Sequence, residues 1–266
     1  MHSGFKSLPH KTIRGRPGLS CAFWMFCCVW ASAQGTESPQ RVPAVACPAS
    51  DEIGPATLLP GESMPAPVQK ALAEQLAYYR AEGSPGVFAP KGWSCRAWSG
   101  SSGSTLLVTP KRIEPPYFPL PKIAGAAVVI QSSDTTSSGR FHAAIVAAQL
   151  FPLLGQELIA RVRQEHLISD SSFDVERYPD DQLSYLSDRL VEYSTPANRT
   201  GLGTEGLLEA ANLSVRGLTV LNPESEADAL TEVRVRLPVA LNAEAETIVR
   251  LETTCLQLKQ GCRGLQ

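Results

Sequence analysis

The sequence predicts an α+β fold, in which a largely antiparallel sheet is covered by helices in a single layered domain. Charged and apolar side chains alternate along residues 232–237, which is typical of an antiparallel strand with one face in solvent. Apolar side chains recur at helical spacing in residues 141–151 and 248–258. Strands are therefore expected towards both ends of the chain, with helices between and after them.

The segment before this domain, residues 34–66, is rich in Pro, Ala, Ser and Gly and has no sustained period. We expect it to form an extended N-terminal arm. Pro67 then starts a helix at its first turn, where the missing N–H costs nothing, and Gly83 ends it. One face of that helix would carry Val68, Leu72, Leu76 and Tyr79. The single domain is accordingly expected to span residues 67–266.

Turn residues divide the rest of the domain into short elements. Residues 94–98 and 105–109 flank a Ser/Gly-rich loop and predict a β-hairpin. Residues 110–121 contain five prolines and predict a surface loop. A helix that carries Ile159 and a last helix capped by Asn242 follow. Further strands are expected at residues 126–130, 190–195 and 218–221.

The first 33 residues are expected to be a secretory signal peptide. Their basic residues are Lys6, Lys11, Arg14 and Arg16. The apolar core at residues 19–33 is shorter than the roughly 20 residues that a membrane span needs, and it ends in small side chains at Ala31 and Ala33. Cleavage is expected after Ala33. The mature protein would be periplasmic or secreted, with no stable membrane span.

Charge and composition disfavour several classes of partner. The formal net charge is −2 at pH 7, and removing the basic leader makes the mature chain more acidic. No basic stripe remains to neutralise phosphates, so nucleic-acid binding is disfavoured. Neither a cofactor nor a metal is expected, because the mature chain lacks Cys-x-x-Cys and holds only two histidines, His142 and His166.

The cysteines predict disulfides. Of the seven in the sequence, the mature chain keeps Cys47, Cys95, Cys255 and Cys262. An even number in an oxidising compartment predicts two bridges, for which three pairings exist. We favour Cys47–Cys95 and Cys255–Cys262, since each pairing joins near neighbours in the chain.

Three segments resemble an uncharacterised family of exported bacterial proteins. They are residues 89–95 with 103–110, residues 191–196 with 201–204, and residues 235–238, in this order along the domain. The resemblance implies a bacterial envelope origin and a single domain, and it carries no activity. The order of the predicted elements also resembles the PsbP/Mog1-like layered fold, a likeness that concerns the fold alone.

A glycine-rich segment matches the dinucleotide-binding pattern by letter. Residues 201–206 are Gly-Leu-Gly-Thr-Glu-Gly, but the pattern requires a strand directly before the glycines, and residues 196–200 intervene here. We interpret the segment as a turn whose glycines permit positive φ. A binding loop for an anion or another small group, at Gly201, Gly203 and Thr204, is the alternative.

A serine hydrolase is the alternative function. Ser102, His142 and Asp134 would act as nucleophile, base and orienting acid, and the last two are near each other in sequence. The Ser/Gly loop lacks the Gly-x-Ser-x-Gly turn between a strand and a helix that activates such a serine. His142 also fits a packing role on an apolar helix face.

The leading hypothesis is a non-enzymatic binding or accessory domain of the bacterial envelope. Its partner would be an unknown envelope protein or a small ligand. The Pro-rich loop carries Tyr117 and Phe118, which would offer an apolar surface to that partner.

Overall fold

Two β-sheets form the centre of the fold, and α-helices pack against the larger one. The computed structural model describes residues 39–50, 55–57, 59–114, 122–173, 178–223 and 230–258. Within these ranges it contains a nine-stranded sheet, a four-stranded sheet and four α-helices. The predicted α+β class with largely antiparallel pairing is confirmed.

The strands are short and follow one another closely. They are β1 (Gln40–Ala46), β2 (Ala49–Ser50), β3 (Pro55–Ala56), β4 (Ser63–Ala66), β5 (Leu76–Ala81), β6 (Ser84–Pro90), β7 (Ser94–Gly100), β8 (Gly103–Thr109), β9 (Ala127–Ser133), β10 (Gln182–Tyr185), β11 (Leu190–Thr195), β12 (Val215–Leu221) and β13 (Leu230–Arg236). The larger sheet has the order β10-β11-β12-β13-β9-β8-β7-β2-β3, and the smaller has β4-β1-β5-β6. Only the pairs β2–β7 and β1–β5 run parallel among these strands.

The larger sheet is covered on both faces. The α-helices are α1 (Lys70–Ala73), α2 (Gly139–Leu150), α3 (Gln156–Glu165) and α4 (Asn242–Gln257). The single turn α1 lies beside the smaller sheet and does not cover the larger one. On one face, side chains of α4 and the smaller sheet share a core with Ile130, Val233 and Val235. On the other face, α2 and α3 share a core with Val191 and Tyr193. The central strands β9 and β13 therefore bury both of their faces, whereas the edge strand β10 is largely exposed.

Because both faces of the larger sheet are covered, β13 does not have the solvent-exposed face that its sequence predicts. Val233 and Val235 do point into the core with α4, but the charged face of the strand is not in solvent. Glu232, Arg234 and Arg236 are 3%, 1% and 0% exposed, respectively. The prediction of a wet face is wrong, because α2 and the segment after β11 cover this face and supply polar partners.

Arg236 shows how a buried charge is satisfied without a carboxylate. Its Nε donates to the Gly125 carbonyl at 2.8 Å and its Nη1 to the Glu209 carbonyl at 2.6 Å. Its Nη2 donates to the carbonyl of Ile123. The guanidinium thus joins the segment before β9 to the segment before β12, which is a structural role.

Most predicted elements of the second half are confirmed. The hairpin of β7 and β8 is in register from Ser94↔Thr109 to Gly100↔Gly103. The strands expected at residues 126–130, 190–195 and 218–221 are β9, β11 and β12, and the three longer helices occupy the expected positions. The predicted cap of α4 is wrong by one residue, because Leu241 is the N-cap and Asn242 is the first residue of the helix.

The first half differs from the sequence-based expectation. Residues 34–66, expected to form an extended arm, contain β1 to β4, which are paired into the sheets. The predicted helix at residues 67–83 is a single turn followed by β5. Prolines are tolerated because β1 changes partner at Pro43, pairing with β4 before it and with β5 after it. Backbone pairing of β5 with both β1 and β6 outweighs the helical spacing of its apolar residues.

The predicted Cys47–Cys95 disulfide is present, with Cα atoms 5.4 Å apart. It links the end of β1 in the smaller sheet to β7 in the larger sheet. In the predicted Cys255–Cys262 pair, Cys255 is buried in α4 and Cys262 lies outside the described residues. Ala33, Tyr117 and Phe118 also lie outside them. No helix in the described ranges is both long and apolar enough to cross a membrane.

Replacing Cys47 and Cys95 together by Ser is expected to lower the free energy of unfolding by about 2–4 kcal/mol, because the bridge closes a long loop in the unfolded chain. Urea denaturation of the variant and the wild type at one pH measures this difference. A loss below about 1 kcal/mol would show that the two sheets stay docked without the bond.

Candidate functional site

A cavity of about 1030 Å³ lies at one end of the face that the larger sheet shares with α4 and the smaller sheet. The β5–β6 turn, the β10–β11 turn and the C-terminal end of α4 surround it. Its apolar wall includes Met64, Ile130, Leu190, Val220 and Leu256. Its polar lining includes Arg80, Glu82, Arg189, Asn222, Thr231 and Glu252. Turns carried by a rigid sheet are common places for ligand-contacting residues.

Two glycines shape the β5–β6 turn beside the cavity. Gly83 has a φ of 68°, a conformation that glycine adopts at little cost. At Gly86, a Cβ would lie 2.4 Å from the Tyr78 hydroxyl oxygen. The missing side chain lets the Tyr78 ring lie across β6, where its centroid is 4.9 Å from that of Phe88. Tyr78 thereby becomes part of the cavity wall.

The most unusual group in the lining is the Glu252 carboxyl on α4. It is 1% exposed, and the Phe88 backbone N–H of β6 donates to its Oε1 at 2.7 Å. Burial raises the pKa of Glu252 to about 8, although the bond from Phe88 acts in the opposite direction. The acid is therefore mostly protonated at pH 7. A protonated carboxyl carries one O–H donor, which an ionised carboxylate lacks.

Two guanidinium groups line the same cavity. Arg80, on β5, forms an ion pair with Glu62, and its Nη2 donates to the Pro60 carbonyl at 3.4 Å. The Arg80 Nε is buried without a hydrogen-bond partner. The Nη1 of Arg189, just before β11, donates to Asn222 Oδ1 at 3.1 Å. The two guanidinium groups thus come from β5 and from the β10–β11 turn, and that of Arg80 is paired with Glu62.

A separate ionic network lies on the opposite face of the larger sheet, under α2. His142 Nε2 donates to Glu232 Oε2 at 2.8 Å, and Arg234 Nη2 donates to Glu232 Oε1 at 2.7 Å. Arg234 Nε also donates to the Leu202 carbonyl at 3.2 Å. His142 is partly exposed on the helix, whereas the two β13 residues are buried.

The charges in this network hold each other ionised. Burial raises the pKa of Glu232, but Arg234 and His142 outweigh it, so the pKa is lowered to about 2. Burial likewise opposes the charged form of His142, and the charge and hydrogen bond of Glu232 outweigh it and raise its pKa. Nearby, burial raises the pKa of Glu205, whose Oε1 accepts a hydrogen bond from the Tyr178 hydroxyl at 2.8 Å.

The glycine-rich segment expected as a binding loop lies beside this network. Its amides are occupied by the protein: Gly201 N–H donates to Thr204 Oγ1, Leu202 N–H to Asp181 Oδ2, and Gly203 N–H to Thr195 Oγ1. The Thr204 N–H donates to the Gly201 carbonyl. These donors are therefore engaged within the fold. The expected positive φ occurs at Gly206, whose φ is 71°, and not at Gly201, whose backbone is extended, or at Gly203.

The three residues of the hydrolase alternative are not brought into one hydrogen-bonded constellation. Asp134 Oδ1 accepts from the Thr136 and Ser137 amides at 3.0 and 2.7 Å, and from the Ser137 hydroxyl, so it closes the turn before α2. His142 instead bonds Glu232. The Ser102 backbone approaches Gly139 at the start of α2.

Sequence reasoning missed the burial of Glu232 and of Glu252. Glu252 had a detectable signal, because it follows Ile248 by four residues and precedes Cys255 by three, which places it on the buried stripe of α4. Glu232 gave no such signal, since alternation along a strand looks the same whether its second face meets water or a helix. In the described part of the chain, no group of three His, Cys, Asp or Glu residues is arranged to hold a metal ion.

Comparisons with known proteins add no relative: no family model matches the chain, and no curated protein or solved structure is significantly similar to it.

The Glu252→Gln variant should gain stability over the wild type as the pH rises from about 5 to about 8. The folded protein keeps the proton up to about pH 8, whereas the unfolded chain releases it near 4.5. The wild type therefore loses about 1.4 kcal/mol of stability per pH unit in this window and no more above it. A glutamine still accepts the Phe88 amide and does not titrate.

Urea denaturation at three pH values across that window measures the effect. Glu246→Gln, on the exposed side of the same helix, is the matched control and should show no growing difference. A difference between Glu252→Gln and the wild type that stays constant with pH would contradict a neutral Glu252.

Removing the His142 imidazole should lower the free energy of unfolding more at acid pH than at alkaline pH. The pKa of His142 is raised in the folded state, so its stabilising contribution is present below about pH 6.5 and is lost as the pH rises through the folded value. His142→Gln should cost at most about 1 kcal/mol at pH 6, because the ring is partly exposed, and less at pH 9. Thermal unfolding of His142→Gln and the wild type at both pH values measures this difference, with the exposed His166→Asn as the control. An equal loss of stability at pH 6 and pH 9 would contradict the prediction.

Proposed function

We propose that the chain is an exported protein of the bacterial envelope whose domain binds a small ligand in the cavity beside Glu252. It acts as a binding or accessory protein. The observation that carries the proposal is the cavity of about 1030 Å³ with a neutral carboxyl in its wall. Pockets that enclose a small molecule usually measure about 300–1,000 Å³ and combine apolar walls with a few placed polar groups.

The energetics of Glu252 support a binding role over a purely structural one. A buried carboxyl costs stability unless its polar atoms find partners, and the described hydrogen bonds give it a single donor, the Phe88 amide. An apolar residue would fill this part of the helix stripe at less cost. Perturbed groups next to a cavity mark functional sites more often than chance.

Export is supported by the N-terminal sequence and by the disulfide. The leader pattern predicts cleavage after Ala33. The Cys47–Cys95 bond is of the kind that persists in oxidising compartments. The resemblance of three segments to exported bacterial proteins is also consistent with export.

The mature protein is expected to bind a neutral apolar probe, N-phenyl-1-naphthylamine, saturably at one site. Intact mass should first show that the exported form begins at Gln34. Val220→Trp fills the cavity from its β12 wall and should weaken probe binding at least about tenfold, that is by about 1.4 kcal/mol. Fluorescence titration measures the affinity.

Val239→Trp makes the same substitution on an exposed residue outside the cavity and serves as the control. Its affinity should equal that of the wild type. Probe binding that is absent, or that Val220→Trp leaves unchanged, would contradict the proposal.

A further inference from the structure

The cavity beside Glu252 has a largely apolar floor and a polar rim, and this division narrows the ligand class in a step that rests on the proposed function. We call the buried residues of the lining the cavity floor; apart from Thr231 and Glu252 its members are apolar or aromatic, among them Met64, Ile130, Leu190 and Leu221. Among the described residues of the floor, only Glu252 carries a carboxyl, amino or guanidinium group. The exposed residues of the lining, which include Glu82, Ser187 and Gln257, form the rim.

The two arginines of the lining are half-buried, and the protein itself engages both of them. Arg80 forms an ion pair with Glu62, and its Nη2 donates to the Pro60 carbonyl. Arg189 donates from Nη1 to Asn222 Oδ1 at 3.1 Å. The charge of Arg80 is therefore balanced before a ligand enters. An anion in the cavity would have to compete with these partners for either guanidinium group.

The Glu252 carboxyl shows how the floor treats a negative charge. Burial raises its pKa to about 8, and neither arginine of the lining offsets that effect. Glu232, on the opposite face of the same sheet, provides the contrast, because its contact with Arg234 helps to lower its pKa to about 2. A ligand carboxylate beside Glu252 would lose its hydration in the same way, without a cation to pair with it.

A cationic ligand finds no better partner in the floor. Glu252 is mostly protonated below about pH 8, so it offers little negative charge. Arg80 engages the Glu62 carboxylate, and Glu82 lies on the exposed rim. An ammonium group in the floor would therefore give up its hydration without gaining a carboxylate from the described lining.

An uncharged apolar body avoids both penalties. The floor is contributed by β4, β9, β11, β12 and α4, and burial of an apolar ligand against it is favourable in proportion to the area removed from water. Ser187 and Gln257 on the rim have side chains that form hydrogen bonds with a hydroxyl or carbonyl group. The lining thus matches a ligand with an apolar body and a small neutral polar group.

We infer that the cavity selects an uncharged ligand, whose apolar body lies on the floor and whose hydroxyl or carbonyl group lies at the rim. It excludes anions and cations of the same size, because the charges of its lining are already compensated within the protein. The pair of Arg80 with Glu62 is the main contact that keeps an anion from being attracted to the cavity.

Three probes with one naphthyl body test this inference at pH 7: 1-naphthalenemethanol, 1-naphthoate and 1-naphthylmethylamine, which are neutral, anionic and cationic, respectively. Each competes with N-phenyl-1-naphthylamine for the mature wild type. The compact body keeps any charged group close to the floor. The alcohol should displace the dye at a concentration at least about tenfold lower than either ion. Val220→Trp, which fills the cavity, should weaken binding of the alcohol at least about tenfold in a direct calorimetric titration.

A second set of variants tests why anions are excluded. Glu62→Gln removes the carboxylate that pairs with Arg80 and should increase the affinity for 1-naphthoate at least about threefold, while the affinity for the alcohol stays unchanged. The Glu62 side chain is exposed, so the variant is expected to fold, and urea denaturation verifies this. Glu74→Gln removes an exposed carboxylate that pairs with Lys70 outside the cavity and should change neither affinity.

Each outcome decides one step of the inference. Displacement by naphthoate or by the amine at the same concentration as the alcohol, or a lower one, would overturn the selection of an uncharged ligand while leaving a ligand-binding cavity. An unchanged naphthoate affinity in Glu62→Gln would overturn the role of the Arg80–Glu62 pair. Alcohol binding that Val220→Trp leaves unchanged would overturn the placement on the floor. Failure of the dye itself to bind the wild type would overturn the proposed function instead.

Discussion

The hydrogen bond from the Phe88 amide to the Glu252 carboxyl is the contact on which the cavity depends. It joins α4 to β6, and so it couples the helix on the larger sheet to the smaller sheet. Burial of the carboxyl holds it in its neutral form, although the hydrogen bond from Phe88 by itself favours the charged form. The space beyond it, between α4 and the two turns, is the cavity.

Coverage of the larger sheet on both faces explains why two kinds of buried acid occur in one fold. On the α4 face, Glu252 has no cation among its described contacts, so burial favours its neutral form. On the α2 face, Glu232 lies between His142 and Arg234 and stays ionised. Arg234 is the fully buried partner, so its removal is expected to cost more stability than removal of the partly exposed His142. The second network accordingly ties α2 to the larger sheet, and Glu252 lies in the wall of the cavity.

Local sequence patterns predicted those elements whose intrinsic conformational preference agrees with the structure that they adopt in the fold. The β7–β8 hairpin, α2, α3, α4 and the Cys47–Cys95 bond follow from turn residues, helical spacing and cysteine parity. The prediction for residues 34–83 was wrong because the strands there form by pairing between separate segments, such as β1 with β5. The local sequence pattern of either segment does not reveal this pairing. The site was missed for a related reason: the cavity is assembled from turns and strands that lie far apart in sequence, and the burial of Glu252 depends on β6.

The protonation state of Glu252 is the most direct test of this account, because the absence of charge from the cavity floor depends on it. Carbon-13 NMR of the side-chain carboxyls, with the resonance assigned by its absence in Glu252→Gln, follows the titration of this group alone. The account predicts a midpoint at about pH 8. A midpoint near 4.5, the ordinary value for a glutamate, would show that the carboxyl is ionised at neutral pH and would contradict it.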